Sequence, residues 1–134
     1  MFAAERHDTD KSDSVRILII DDNTDITFSL AKLLEIAGNE VLVAHNGNDA
    51  IKAAKRFFPE IILLDIGLPD QSGYEVAKKL RKTRACKKAL IIAVSGYLPD
   101  LKEQENGALF DQYLLKPPKL NELKQIIKKY RSGK

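Results

Sequence analysis

The sequence predicts a doubly wound α/β domain built on a five-stranded parallel sheet. Two patterns predict it: five short apolar runs spaced along the chain, and longer stretches of helical period between them. The runs are 15–20 (VRILII), 40–44 (EVLVA), 60–64 (EIILL), 89–94 (ALIIAV) and 110–115 (FDQYLL). Several are apolar at consecutive positions, as expected of strands buried on both faces of a parallel sheet. The 134 residues suit one domain, since domains run to about 100–150 residues.

Each intervening stretch reads as a helix. After the first run, Ile26, Leu30, Leu33, Leu34 and Ala37 recur at helical spacing. That helix starts near Thr24, can be capped by Asp21, Asp22 or Asn23, and is stopped by Gly38. Ala50, Ala54 and Phe57 mark a second helix before Pro59, and Val76, Ala77 and Leu80 a third. A short, weakly amphipathic helix is expected over 99–106, ended by Gly107. Leu120, Leu123, Ile127 and Tyr130 mark the last, with Pro118 suited to its start. The apolar stripes of these helices are read as core.

Composition narrows the class. An apolar share of 44% fills one core and a charged share of 31% suits an ordinary surface, which excludes a disordered chain, a disulfide scaffold and a multi-domain enzyme. No run approaches the ~20 apolar residues of a membrane helix, and residues 1–14 lack the apolar region of a secretory signal. Those fourteen read as a polar, flexible tail preceding a domain at 15–134. Cys86 is the lone cysteine and sits in a basic stretch expected to lower its pKa; with no partner it asks for no oxidising compartment, and a cytoplasmic location is expected.

Charge is unevenly spread around the net +3. In the tail, Arg6 and Lys11 stand against Glu5, Asp8, Asp10 and Asp13, a balance of −2 that leaves +5 for the rest. Residues 78–88 carry Lys78, Lys79, Arg81, Lys82, Arg84, Lys87 and Lys88 with no acid among them. The C-terminal stretch adds Lys119, Lys124, Lys128, Lys129, Arg131 and Lys134. With no aromatic stacking platform or recognition helix beside them, these read as solvated helix faces, and direct nucleic-acid binding is not expected.

Right-handed crossovers bring all strand ends to one edge of the sheet, where ligands of such folds bind. The first strand runs into Asp21 and Asp22, the third into Asp65, the fourth into Ser95 and the fifth into Lys116. Three carboxylates in one place resist joint ionisation unless a cation joins them, and hard oxygen ligands suit Mg²⁺ (or Mn²⁺) better than zinc. Such an ion, with Lys116 and the Ser95 hydroxyl beside it, makes a pocket for a phosphoryl dianion, and Asp65 is then a candidate nucleophile for an aspartyl phosphate. Any one of these acids taken alone would be read as a helix cap; the set at separate strand ends is what points to chemistry.

The motifs I-L-I-I-D-D-N at 17–23, L-L-D-I-G-L-P at 63–69 followed by Gly73, A-V-S-G-Y at 93–97 and Y-L-L-K-P at 113–117 carry a resemblance. Over about residues 15–131 the chain resembles a receiver domain of the two-component response-regulator family, of the single-domain, chemotaxis-regulator-like kind. The resemblance implies a flavodoxin-like sheet of strand order 2-1-3-4-5 with five helices. It implies that Asp65 takes a phosphoryl group from a phosphohistidine on a histidine kinase or histidine phosphotransfer protein. Asp22 would bind the metal directly, Asp21 mostly through water, and the Gly67 backbone carbonyl would complete the protein's ligands. Lys116 and Ser95 would hold phosphoryl oxygens, Tyr113 would turn inward as Ser95 moves, and Lys116–Pro117 would be cis. Such a domain is a phosphoacceptor that assists its own phosphorylation and dephosphorylation, not an enzyme with a separate substrate.

The output implied is protein contact. A downstream target or a second copy would bind the face made by the 99–106 helix, the fifth strand and the last helix, with no membrane insertion. Leu98 and Leu101 are candidates for that surface. Ser95 keeps a hydroxyl where Thr is also usual, while Gly67 and Tyr97 occupy places that modulate phosphoryl lifetime in the family. The G-L-P and S-G-Y wording is also reminiscent of receivers fused to hybrid sensor kinases, so a kinase-derived module or a phosphate sink is the alternative. A haloacid-dehalogenase-type phosphatase needs a second acid two residues after its nucleophile, and Gly67 stands there. A flavin phosphate would be repelled by D-D-N-T-D, and no G-x-x-x-x-G-K-[ST] occurs. His45, after the second strand, is expected in a supporting or solvent role, and His7 lies in the tail.

Overall fold

The computed structural model describes residues 14–96 and 109–133. Strands and helices alternate as β1 Arg16–Ile20, α1 Thr24–Ile36, β2 Glu40–Ala44, α2 Gly47–Phe57, β3 Ile61–Asp65, α3 Gly73–Lys82, β4 Leu90–Ser95, β5 Gln112–Leu115 and α4 Leu120–Ser132. A 3₁₀ turn, Arg84–Cys86, joins α3 to β4. Four α-helices are thus present among the described residues where five were expected; the helix anticipated over 99–106 lies outside them, as do Leu98 and Leu101. The sheet order is β2-β1-β3-β4-β5 and every pair is parallel.

The consecutive apolar residues of the strands are explained by the two layers they serve. On β1, Ile17 and Ile19 face α1 and α4, while Leu18 and Ile20 face α2 and α3. The same alternation divides Ile61 and Leu63 from Ile62 and Leu64 on β3, and Ile92 and Val94 from Ile91 and Ala93 on β4. With both faces covered there is no solvent side on which a polar residue would be favoured. Each fully buried Leu or Ile contributes about 1.5–3 kcal/mol of transfer free energy, so these three strands are the main source of stability.

Local signals set the helix ends. The Asn23 side chain accepts from Ile26 N at 3.0 Å, so Asn23 and neither aspartate caps α1. Gly38 ends that helix region at φ +101°, a backbone that side chains rarely adopt. Asn46 caps α2 by accepting from Asp49 N at 2.8 Å, and Ser72 caps α3 by accepting from Glu75 N at 3.2 Å. Two backbone donors of the first turn of α2 are also taken from outside: Gly47 N and Asn48 N donate to the Asp70 carboxylate at 2.8 and 3.1 Å.

Three expectations need correction. Leu33 is 44% exposed and Ala37 is also outside the core, because α1 turns only its Thr27, Leu30 and Leu34 side fully inward. Cys86 is buried between α2 and α3, and burial pushes its thiol above the usual range despite the Thr83 hydrogen bond and the nearby Arg81 guanidinium. Lys82, Arg84, Lys87 and Lys88 are exposed, and the charge of Arg81 does not outweigh the burial of the thiol. Pro118 stands two residues before α4, whose N-cap is Lys119.

Candidate functional site

Parallel registry brings the strand ends together. Ile20 pairs with Ala44 and Leu64, Asp65 with Val94, and Ser95 with Leu115, so the residues at or just past these positions share one rim. Asp21, Asp65 and Ser95 are buried there, Asp22 is exposed, and Lys116 is half-buried. One carboxylate oxygen from each of Asp21, Asp22 and Asp65 lies within 4.8 Å of the others.

Lys116 ties the cluster together. Its Nζ stands 3.0 Å from Asp65 Oδ2 and 3.1 Å from Asp21 Oδ2. Burial is the largest single influence and works against the ammonium, but the hydrogen bonds to Asp65 and Asp21 and the charges of both carboxylates together raise the lysine above its ordinary range. Burial is also the main influence on Asp21, pushing its carboxyl above the usual range. The hydrogen bonds from Asn23 N and Lys116 offset this only in part, and the charge of Asp65 adds to it. The arrangement is short of positive charge: one ammonium serves two buried carboxylates with a third beside them.

Backbone contacts hold the carboxylates in place. Asn23 N donates to Asp21 Oδ1 at 2.9 Å, and Gly67 N donates to Asp65 Oδ1 at 3.0 Å. The turn after Asp65 is fixed by Gly73, whose N donates to Ile66 O at 2.8 Å. A Cβ at Gly73 would fall 2.6 Å from Ile66 Cα, so only glycine allows α3 to start this close. Lys116 N donates to Ser95 O at 2.8 Å, anchoring the lysine to the end of β4, and Lys116–Pro117 is cis.

Supporting residues appear that the sequence did not single out. Asp70 pins the start of α2 from the loop that leaves Asp65. Arg81 donates to Ala89 O, Leu109 O and Asp111 Oδ2, and Asp111 Oδ2 also accepts from Ile91 N, which positions the approach to β5 and hence to Lys116. Arg81, next to the last residue of α3, is half-buried and follows the fully buried Leu80, and nothing in the run of basic residues around it marked it out. His45, expected in a supporting or solvent role, has Nδ1 3.0 Å from Asp21 O; a carbonyl only accepts, so Nδ1 carries the proton. Tyr113 is 36% exposed, with its ring edge-on to Phe110 at 5.9 Å between centroids, and Phe110 meets Tyr74 in the same way at 5.8 Å.

The family model described as "Response regulator receiver domain" matches residues 17–128. The chain belongs to that family. This receiver is 32% identical over 113 residues to the probable transcriptional regulator ycf27 of Pyropia yezoensis, covering 84% of this chain and 46% of that protein. The chain therefore spans about half the length of that curated relative. Among solved structures, a CheY-like receiver domain from Methylobacillus flagellatus superposes with a TM-score of 0.80 at 32% identity, covering 87% of this chain and 98% of that one. The receiver domain of the sensor histidine kinase PA1611 from Pseudomonas aeruginosa PAO1, solved with a magnesium ion coordinated in the active site cleft, gives a TM-score of 0.79 at 28% identity, covering 89% and 98%. The fold is that of the phosphoacceptor domains of two-component signalling.

Proposed function

We propose that Asp65 is the phosphoacceptor of this receiver, charged from a phosphohistidine on a histidine kinase or histidine phosphotransfer protein. The observation that carries this reading is the Lys116 ammonium placed 3.0 Å from Asp65 Oδ2 at the rim where three carboxylates meet. Asp65 Oδ2 attacks phosphorus, the new O–P bond forms as the P–N bond to the imidazole breaks, and the electron pair stays on the departing nitrogen. Lys116 swings from the carboxylate to the phosphoryl oxygens, where its charge is needed as they accumulate at the acceptor. Gly67 N–H keeps Oδ1 turned away, so that one oxygen of Asp65 is presented for attack.

The donor set suits a hard divalent ion, because it is all oxygen and carries more negative than positive charge. Asp22 would hold Mg²⁺ (or Mn²⁺) directly, with Asp65 and the Gly67 carbonyl, and Asp21 mostly through water. When bound, the ion supplies charge neutralisation for the anionic reactants. In the phosphorylated state Ser95 donates its hydroxyl to a phosphoryl oxygen, and the Tyr113 ring follows it inward, shifting a balance between two packings. The changed face, which includes β5 and α4, would then bind a downstream protein or a second copy.

A second reading, a receiver serving a sensor kinase of the hybrid type, is supported by the likeness to the PA1611 receiver. Both readings use the same acceptor. Incubation with acetyl phosphate, with and without Mg²⁺, followed by intact-protein mass spectrometry of wild type and Asp65→Asn, tests it. Phosphate gain only in wild type with the metal supports the assignment; equal gain in Asp65→Asn places the nucleophile elsewhere.

A further inference from the structure

Because the strands are parallel, the edge opposite Asp65 gathers their amino ends, and there the surface is concave and basic. One hollow of about 390 Å³ is bounded by Arg16, Phe58, Arg84, Lys87, Lys88 and Tyr130. A second, of about 380 Å³, adjoins it through Phe58, Arg84 and Ala85 and is bounded by Lys55 and Lys82. Glu60 is the single acid lining either hollow, and it is engaged by Arg16 N at 3.0 Å, the Arg16 guanidinium at 3.6 Å and Tyr130 Oη at 3.5 Å. None of Lys55, Lys82, Arg84, Lys87 or Lys88 pairs with an acid among the described residues. Among the described residues, five uncompensated cations thus line a groove whose walls include apolar surface.

Phe58 sharpens the picture. It caps α2 in the left-handed region at φ +52°, uncommon for a bulky side chain, and the residue is 51% exposed at the junction of the two hollows. A half-exposed phenylalanine lining both basic hollows is an unfavourable surface to leave uncovered and a favourable one to cover with apolar atoms flanked by carboxylates. A nucleic-acid strand fits less well, because the exposed rings do not form a series for stacking. A planar bilayer cannot follow a concave wall.

We propose that this amino-terminal edge is a docking groove for an extended, acidic segment of another protein, its carboxylates on Arg84, Lys87, Lys88, Lys55 and Lys82 and a large apolar side chain on Phe58. The groove is separate from the phosphorylation rim, so its occupancy does not require Asp65. The test is a fluorescence anisotropy titration of the full chain with a fluorescein-labelled peptide of aspartates and glutamates around a central leucine pair. Arg84→Glu/Lys87→Glu should weaken binding by roughly tenfold or more, whereas Lys52→Glu/Lys78→Glu, an equal charge change outside the groove, should leave it within about twofold. Replacing the leucine pair by serine should weaken it several-fold. Absence of binding, equal loss in both double variants, or tighter binding of oligothymidylate or phosphatidylserine vesicles would overturn the proposal.

Discussion

Lys116 Nζ and Asp65 Oδ2 are 3.0 Å apart, and the same ammonium reaches Asp21 Oδ2 at 3.1 Å. The lysine therefore occupies the place where positive charge is scarce, and on the proposed function its partners would change when a metal ion or a phosphoryl group arrives. Metal binding and phosphoryl transfer should separate by mutation. Lys116→Ala is expected to bind Mg²⁺ at least as tightly as wild type in isothermal titration calorimetry, because a competing cation is gone, while its rate of phosphorylation by acetyl phosphate falls by roughly a hundredfold. Asp22→Ala should lose the metal, and unchanged Mg²⁺ affinity in that variant would contradict its role as ligand.

The neighbours Leu33 and Leu34 on α1 provide a paired test of the fold. Leu34 is fully buried against the sheet and Leu33 is 44% exposed. Leu34→Ala should cost about 2–5 kcal/mol in urea unfolding, the loss of transfer energy plus a cavity. Leu33→Ala should stay within about 0.5 kcal/mol. Comparable losses at both sites would mean that α1 is rotated from the orientation described.

That pair also marks the boundary of what the sequence made legible. Apolar runs such as VRILII located the strands to within a residue or two, because burial on both faces leaves a continuous pattern. Leu33 looked like core since helical spacing cannot distinguish the centre of an apolar stripe from its margin. Asp21, Asp22, Asp65, Ser95 and Lys116 were readable as a site because parallel topology forces residues after each strand onto one rim. Asp70 and Arg81 were not, since each acts on backbone groups far along the chain, Gly47 and Leu109 among them, and such pairings leave no local periodicity. The environment of Cys86 was misread because charge along the sequence says nothing about which side of a turn is buried.

Acid sensitivity should trace in part to Asp70. The hydrogen bond from Gly47 N is the strongest influence and, with those from Asn48 N and the Gln71 side chain, holds its carboxyl below the ordinary aspartate range against the opposing effect of desolvation. A depressed folded-state value means that the unfolded chain takes up the proton first as pH falls. The contribution of Asp70 is therefore present above the unfolded-state value and is lost as pH drops through the lower folded-state value. Thermal melts from neutral pH down to about pH 2 should show a shallower acid limb for Asp70→Ala than for wild type. Parallel curves would remove Asp70 from the acid transition.

Phosphoryl occupancy should be felt at β5. Adding beryllofluoride with Mg²⁺ should change amide hydrogen exchange at Ser95, Gly96 and Gln112–Leu115, where the Lys116 backbone ties the end of β5 to Ser95. Tyr113→Ala should retain acetyl phosphate reactivity while losing most of the exchange response. Identical exchange with and without beryllofluoride would mark the domain as a phosphate store without a switch through β5.

The most direct measurement is the position of the phosphoryl group itself. Borohydride reduces an acyl phosphate to the corresponding alcohol, leaving a stable mark where the mixed anhydride stood. After reaction with acetyl phosphate and Mg²⁺, borohydride treatment and peptide mapping by tandem mass spectrometry should place homoserine at position 65 and at no other aspartate. Homoserine at position 21 or 22, with residue 65 unmodified, would contradict the assignment of Asp65 as the acceptor.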